Sequence, residues 1–194
     1  PIVMNIHRRS FSTAPFHFDA IRTCRTAGRL RISEISSFLS WRRIETLMIP
    51  VIIPYYKNKD QLDKCLDHLK QQSMPVEVYI RDNSEDNIYF TAAINEGIRH
   101  FLHGPAKYMV ILNQDMYLAP DAVEEMVNFM NRNPHCGIGA PLQLHPKDND
   151  YVIWAGCFEA FPVGRHLHGP VHQFKTDEPV YWANGACMIL RRAM

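Results

Sequence analysis

The chain has 194 residues, of which 46% are hydrophobic and 21% charged, and this is enough for one sizeable domain with an apolar core. Its net charge of +1 gives no sign of a nucleic-acid partner, and no apolar stretch approaches the roughly 18 residues of a transmembrane segment. The five cysteines contain no C-x-x-C pair. They fit neither a disulfide framework nor a structural zinc site, and they favour a reducing, cytoplasmic setting.

Residues 1–47 differ in charge from the rest of the chain. They contain eight arginines, no lysine and three acids, which gives this segment a net charge of +5 and leaves −4 for the remainder. Because sustained apolar periodicity is missing, we predict a basic, poorly ordered leader that is dispensable for folding. Its arginine- and serine-rich composition also resembles a transit peptide. The predicted folded domain covers residues 48–194.

Regular apolar patterns begin at residue 48. Residues 49–53 form an apolar run that predicts a buried strand, and residues 76–80 predict a second one. Leucines at helical spacing predict a helix over residues 59–72, and a similar pattern predicts a second helix over residues 90–102.

The alternation of strands and helices continues after these elements. Residues 108–112 predict the third strand, and Pro120 is predicted to open a third helix with acidic residues near its positive end. Residues 137–141 and 151–155 predict further strands, and residues 180–190 contain another apolar segment. This order predicts an α/β fold with a mostly parallel sheet, in which ligands bind beyond the carboxyl ends of the strands.

Polar and aromatic residues follow these three strands. Pro54 and Tyr55 end the first, Asp82 follows the second, and Asn113 and Asp115 follow the third. Neither a G-x-G-x-x-G nor a P-loop motif is present, which disfavours dinucleotide oxidoreductases and P-loop nucleotidases. Asp115 is placed either to bind Mg²⁺ together with substrate phosphates, with Asn113 as a neutral oxygen donor, or to cap the next turn. Asp82 either accepts a hydrogen bond from a nucleotide base or serves a local turn.

Five segments in this order resemble the family 2 glycosyltransferases of the GT-A fold. They are V-I-I-P-Y-Y at residues 51–56, R-D-N-S at 81–84, F-T-A-A-I-N-E-G at 90–97, I-L-N-Q-D at 111–115 and N-G-A-C-M-I-L-R-R at 184–192. The fourth segment is most similar to the rhamnosyltransferase-like branch, which often has L-N-P-D where other members have D-x-D. The resemblance implies a Rossmann-like, three-layer α/β/α domain with a mostly parallel central sheet.

The resemblance also implies roles for individual residues. Those expected to bind the nucleotide sugar are Pro54, Tyr55, Asp82, Asn95, Asn113 and Asp115, with Asp115 as the ligand of Mg²⁺ or Mn²⁺; those expected on the acceptor side are Gly185 and Ala186. Asn113 stands in place of the first aspartate of D-x-D, so one charged ligand remains. Arg191 and Arg192 are expected either to pair with phosphate or to form the solvated end of a strand.

The general base of the family usually belongs to an E-D pair downstream of the last of these segments. Its position would lie beyond Met194, so the resemblance implies a nucleotide-sugar-binding domain that is C-terminally truncated and inactive by itself.

These features predict the domain of an inverting, metal-assisted glycosyltransferase of polysaccharide biosynthesis. Its donor would be a UDP- or dTDP-sugar, and its acceptor a hydroxyl of a glycan or lipid-linked molecule, in the cytoplasm or at the membrane periphery. An alternative is a non-catalytic nucleotide-sugar-binding module. Nucleotide binding without turnover in a longer chain would favour it. A sugar nucleotidyltransferase is a weaker alternative, because its glycine-rich loop with arginine and lysine after the first strand is missing.

Overall fold

A computed structural model of the protein describes residues 48–158 and 164–192, so the predicted leader lies outside the described residues. The elements in chain order are β1 (Ile49–Tyr55), α1 (Lys59–Lys70), β2 (Val76–Asp82), α2 (Tyr89–Phe101), β3 (Tyr108–Leu112), α3 (Ala122–Arg132), β4 (Ile138–Gly139), β5 (Gln143–His145), β6 (Asp148–Trp154), β7 (Gly169–Pro170), a short 3₁₀ helix (Val171–Gln173) and β8 (Cys187–Arg191).

The central sheet has five strands among the described residues, in the order β2-β1-β3-β8-β4. β1 is parallel to both β2 and β3, whereas β8 is antiparallel to its neighbours β3 and β4. Four of the five strands therefore run in one direction, and the predicted mostly parallel sheet is confirmed. The remaining strands form a separate antiparallel sheet in the order β5-β6-β7.

Strand β1 is covered on both faces. Val51 and Ile53 are fully buried in a core that includes residues of α1 and α3, whereas Ile52 is fully buried on the opposite face with residues of α2. Successive side chains of a strand point to opposite faces, so a strand between two helical layers needs an uninterrupted apolar run. The predicted three-layer α/β/α arrangement is therefore observed.

The close contact between α2 and β1 depends on Gly97. A Cβ atom at this position would overlap the side chain of Ile52, which is itself fully buried. Glycine is the residue that lets the helix backbone lie directly on the strand, and this packing holds α2 against the middle of β1.

The boundaries of the helices differ by up to two residues from those predicted. The first helix ends at Lys70 rather than at residue 72, and the second covers Tyr89–Phe101 rather than residues 90–102. The third begins at Ala122, so the prediction that Pro120 opens it was wrong. The Pro120 carbonyl oxygen instead accepts a hydrogen bond from the Ser73 amide at 2.7 Å, which holds the proline in the preceding turn.

The predicted strand over residues 151–155 begins earlier, at Asp148, and does not join the central sheet. It pairs with β5 through a tight connection in which the Lys147 amide donates to Nδ1 of His145. On its other side, it pairs in antiparallel fashion with β7. None of the helices in the described ranges has the length and apolar character needed to cross a membrane.

Candidate functional site

The carboxyl ends of β1 and β2 lie side by side. Tyr55 and Asp82 are partners in the strand register, and so are Pro54 and Arg81. The Asn83 amide donates to the Tyr55 carbonyl oxygen at 2.8 Å, which continues the pairing past the end of the strand. The structure thus brings Pro54, Tyr55 and Asp82 together at the carboxyl ends of the two strands.

Asp82 is exposed, and its carboxylate accepts a hydrogen bond from the Ser84 amide at 2.8 Å. Hydrogen bonds from the side chain and backbone of Ser84 hold the pKa of the Asp82 carboxyl below its usual value. Asp82 therefore forms the local turn that was one of its two interpretations. Because a carboxylate has two oxygens and several acceptor positions, this bond leaves it able to accept a further hydrogen bond from a ligand.

Asp115 lies in a turn directly after β3, the central strand of the five-stranded sheet. The Met116 amide donates to the Asn113 carbonyl oxygen at 3.1 Å, and the Asn113 amide donates to the Ala186 carbonyl oxygen at 2.9 Å. The Asp115 side chain is exposed and has no hydrogen bond or ion pair with any described residue. A carboxylate in this state is available to a ligand from solvent.

The chain after Asp115 is fixed by the C-terminal half of α1 and the residues that follow it. Nδ1 of His68 lies 3.0 Å from the Leu118 carbonyl oxygen, and Nε2 of Gln72 donates to the Ala119 carbonyl oxygen at 2.8 Å. The rings of His68 and Tyr117 are stacked with their centroids 5.4 Å apart. The turn that carries Asp115 is therefore anchored on both sides, and the position of its carboxylate is set by the fold.

At the carboxyl ends of these strands, the protein side chains fit a divalent cation only if a substrate supplies further ligands. No group of three or more His, Cys, Asp or Glu side chains in the described part of the chain is arranged to hold a metal ion. Mg²⁺ commonly takes one or two protein carboxylates and completes its shell with substrate phosphates and water. The free carboxylate of Asp115 fits that pattern, whereas a site built entirely from protein ligands does not.

Gly185 and Ala186 lie in the turn that leads into β8, beside Asn113. The Asn184 side chain shapes this turn, because its Oδ1 accepts the Ala186 amide at 3.2 Å and its amide forms a reciprocal pair with Gln143 on β5, at 2.7 and 3.1 Å. A Cβ atom on Gly185 would lie 3.0 Å from the ring of Phe90, at the start of α2. The turn thus joins the central sheet, the small sheet and α2 at the same edge.

Among the described residues, the Asn95 side chain forms no hydrogen bond with the other predicted site residues. It is exposed, lies six residues into α2, and hydrogen-bonds to no other described side chain. At 1.5 Å per residue this places it about 9 Å along the helix from Tyr89. The expected proximity of Asn95 to the nucleotide stays a prediction.

Two side chains that the sequence did not single out link the strand ends. Gln114 accepts the Tyr56 amide at 2.6 Å, and Ser84 accepts the Lys57 amide at 3.2 Å, so both hold the loop after β1. Gln114 occupies the variable position of the N-x-D segment, and the only signal for it was a polar residue where the similar L-N-P-D segment has proline.

Cys187 follows the turn of Gly185 and Ala186 and is fully buried in the core. Burial raises the pKa of its thiol from about 9 to about 12, with a smaller contribution from Cys65. A raised pKa in the folded state contributes stability that is complete below pH 9 and is lost as the pH rises toward 12. We therefore expect the unfolding free energy to fall less steeply between pH 9 and 11 in Cys187→Ala than in the wild type. Urea denaturation across this pH range measures how steeply the unfolding free energy falls in each protein. Equal slopes would contradict the raised pKa of the Cys187 thiol.

Comparison with known proteins gives the family. The family model described as "Glycosyl transferase family 2" matches residues 85–194, which is more than half of the chain. The chain belongs to glycosyl transferase family 2. The predicted family is therefore confirmed, and so is the α/β fold class, with its mostly parallel sheet between helical layers.

Further comparisons add context to this family 2 domain. Among solved structures, it is similar to the mannosyltransferase PcManGT from Pyrobaculum calidifontis in complex with GDP-Man and Mn²⁺, with 14% sequence identity and a TM-score of 0.42. That match covers 81% of this chain and 52% of the other, so the chain spans about half of the length of that structure. A comparison with curated proteins found no match.

Proposed function

We propose that this family 2 domain binds a nucleoside-diphosphate sugar of the UDP or dTDP type. The binding site would be the edge of the central sheet where β1, β2 and β3 have their carboxyl ends, which we call the strand-end edge. The domain would take part in transfer of the sugar to an acceptor hydroxyl with inversion. The acceptor would be a glycan or lipid-linked molecule of polysaccharide biosynthesis, and the setting cytoplasmic or at the membrane periphery. The N-Q-D segment supports the rhamnosyltransferase-like branch. Residues 48–194 would form this nucleotide-sugar-binding domain, with residues 1–47 dispensable for it.

The observation that carries the proposal is the position of Asp115. Its carboxylate is exposed and has no protein partner among the described residues, and its turn is held by hydrogen bonds on both sides. Tyr55 lies at the end of β1, the neighbour of β3, and Asp82 lies at the end of β2, which pairs with β1 on its other side. A nucleoside diphosphate has an aromatic base at one end and anionic phosphates at the other, so its two ends match these two groups of side chains.

Each part of the edge has a distinct task in this proposal. Pro54 and Tyr55 would pack on the base, Asp82 would accept a hydrogen bond from its imide N–H, and Asn113 would offer a neutral oxygen to the ribose. Asp115 would hold Mg²⁺ or Mn²⁺, which when bound stabilises the charge of a departing diphosphate. Gly185 and Ala186 have little side-chain bulk, and they would leave room for the acceptor beside Asn113.

A binding experiment on the 194-residue chain tests the proposal. UDP, dTDP and GDP are each added with Mn²⁺, and the shift in thermal unfolding is measured, since a ligand that binds the folded state raises the melting temperature. We expect a clear shift with UDP or dTDP. In Asp115→Ala, we expect affinity for that nucleotide in the presence of Mn²⁺ to fall about tenfold or more, which corresponds to about 1.4 kcal/mol.

The matched control is Asp150→Ala, which removes an exposed acid from the small sheet and leaves the strand-end edge unchanged. It should bind the nucleotide like the wild type. If none of the three nucleotides stabilises the wild-type chain, or if Asp115→Ala binds as tightly as Asp150→Ala, the proposed function is wrong.

A further inference from the structure

The side chain of Gln114 connects the two ends of the proposed nucleotide site. Its Oε1 accepts the Tyr56 amide at 2.6 Å, and its Nε2 lies 3.3 Å from the Tyr56 carbonyl oxygen, 3.4 Å from that of Asn58 and 3.4 Å from Oε1 of Gln61. The backbone of Gln114 belongs to the turn between Asn113 and Asp115. One side chain thus ties the loop after β1 to the turn after β3.

The loop after β1 needs hydrogen bonds from other segments because one of its residues has a strained backbone conformation. Lys57 has a φ of +58°, in the left-handed region that non-glycine residues seldom adopt. Its amide donates to Oγ of Ser84, and the Asn58 amide donates to the Tyr56 carbonyl oxygen at 2.8 Å. Strained backbone persists where the surrounding structure over-determines it, and Gln114 and Ser84 supply that constraint from two sides.

Glutamine is suited to this position in a way that few residues are. A carboxamide both accepts and donates, so Gln114 can bind the amide and the carbonyl oxygen of the same loop at once. Proline, which occupies this position in the similar L-N-P-D segment, can do neither. Methionine has nearly the same length and shape, but it offers no N–H donor and only a weak acceptor.

We propose that Gln114 is a positioning residue that fixes the base side of the nucleotide site, at Tyr55 and Tyr56, relative to the diphosphate side, at Asp115. This inference rests on the proposed function. A ligand that spans both sides gains from their fixed spacing, because a preorganised site loses less conformational freedom on binding. A ligand that occupies the diphosphate side alone has no such gain.

The test compares a spanning ligand with a fragment of it, both titrated calorimetrically into the 194-residue chain with Mn²⁺. The spanning ligand is UDP, or dTDP if that gives the larger thermal shift, and the fragment is inorganic pyrophosphate. In Gln114→Met we expect nucleotide affinity to fall about tenfold, the scale of one or two lost hydrogen bonds, and pyrophosphate affinity to change less than twofold. Hydrogen exchange at the Tyr56 amide should also become faster in the unliganded variant.

The matched control is Gln71→Met, since Gln71 is exposed and, among the described residues, its side chain donates only to the Asp67 carbonyl oxygen in the last turn of α1. It should bind both ligands like the wild type. An equal loss of nucleotide and pyrophosphate affinity in Gln114→Met would overturn the inference, and so would unchanged affinity for both. If the wild type bound neither ligand, the proposed function itself would be refuted, together with this inference. If Gln114→Met folds poorly by circular dichroism, Gln114→Ala gives the same affinity ratio.

Discussion

Arg191→Met is expected to lower the free energy of unfolding by about 3 kcal/mol, because the guanidinium of Arg191 holds the end of α3 against the sheet. Its nitrogens donate to the carbonyl oxygens of Cys136, Met130 and Asn133, at distances of 2.8, 2.5 and 2.9 Å. Carbonyl groups at a helix C-terminus lack partners within the helix and carry a partial negative charge, so a cation there stabilises them.

The contact with Tyr108 adds to this effect. The centre of the guanidinium lies 5.1 Å from the centroid of the Tyr108 ring, and Nη1 donates to the Tyr108 hydroxyl oxygen at 3.2 Å. That hydroxyl in turn donates to Oδ1 of Asn131 at 2.6 Å. Methionine would fill part of the space, but it would leave at least three carbonyl oxygens without their charged donor.

Urea denaturation of the purified chain measures the effect. Arg191→Lys keeps the charge but cannot reach three carbonyl oxygens with one ammonium group, so it should recover only part of the loss. Arg132→Met is the control, because Arg132 is exposed in the last turn of the same helix and forms no ion pair among the described residues. A loss below 1 kcal/mol in Arg191→Met would show that these hydrogen bonds do not stabilise the fold as inferred.

Arg191 also illustrates what the sequence could not provide. A pair of arginines after an apolar strand was compatible with phosphate binding or with a solvated strand end. In the structure, Arg191 binds backbone carbonyl oxygens near the end of α3, and Arg192 donates to those of Leu102 and Gly104. Every residue has a backbone carbonyl group, so the sequence does not show which of them a distant side chain will bind.

The central layers were predictable because each has a strong local signal. The apolar run of β1 and the helical spacing of leucines in α1 arise from burial, which local sequence reports directly. The small antiparallel sheet was missed because its strands β5 and β7 have three residues or fewer, too few to show a period. The antiparallel direction of β8 depends on the long connection before it rather than on its own residues.

The candidate site divides in the same way. Pro54, Tyr55, Asp82, Asn113 and Asp115 were predicted to lie together because the carboxyl ends of parallel strands meet at one edge of a sheet. Gln114 and the Asn184–Gln143 pair were not found, because their partners are 58 and 41 residues away in the sequence. Sequence order located the edge, and the side chains that fix its geometry became visible only in the fold.

Gly156→Ala is expected to destabilise the protein by about 3 kcal/mol, from backbone strain and overpacking together. Gly156 has a φ of +111°, which a residue with a side chain rarely adopts, and a Cβ atom there would overlap the buried side chain of Val180. The backbone cannot easily turn away, because the Gly156 carbonyl oxygen accepts the Leu167 amide at 3.0 Å and the Ala155 amide donates to the Leu167 carbonyl oxygen at 2.9 Å.

The control for Gly156→Ala is Gly137→Ala. No atom beyond its chain neighbours lies within 4 Å of the position that a Cβ on Gly137 would occupy, and this glycine does not have a positive φ. Its substitution should change the free energy of unfolding by less than about 0.5 kcal/mol.

Urea denaturation followed by tryptophan fluorescence reports on the region of Gly156, since the buried Trp154 lies two residues before it. Circular dichroism follows the central sheet and its helices in the same samples. Equal stability of the two variants would show that the loop after β6 relaxes around a side chain at residue 156. A shift in fluorescence alone would instead show that the small sheet, which holds the turn of Gly185 and Ala186 through Gln143 and Asn184, unfolds separately from the central sheet.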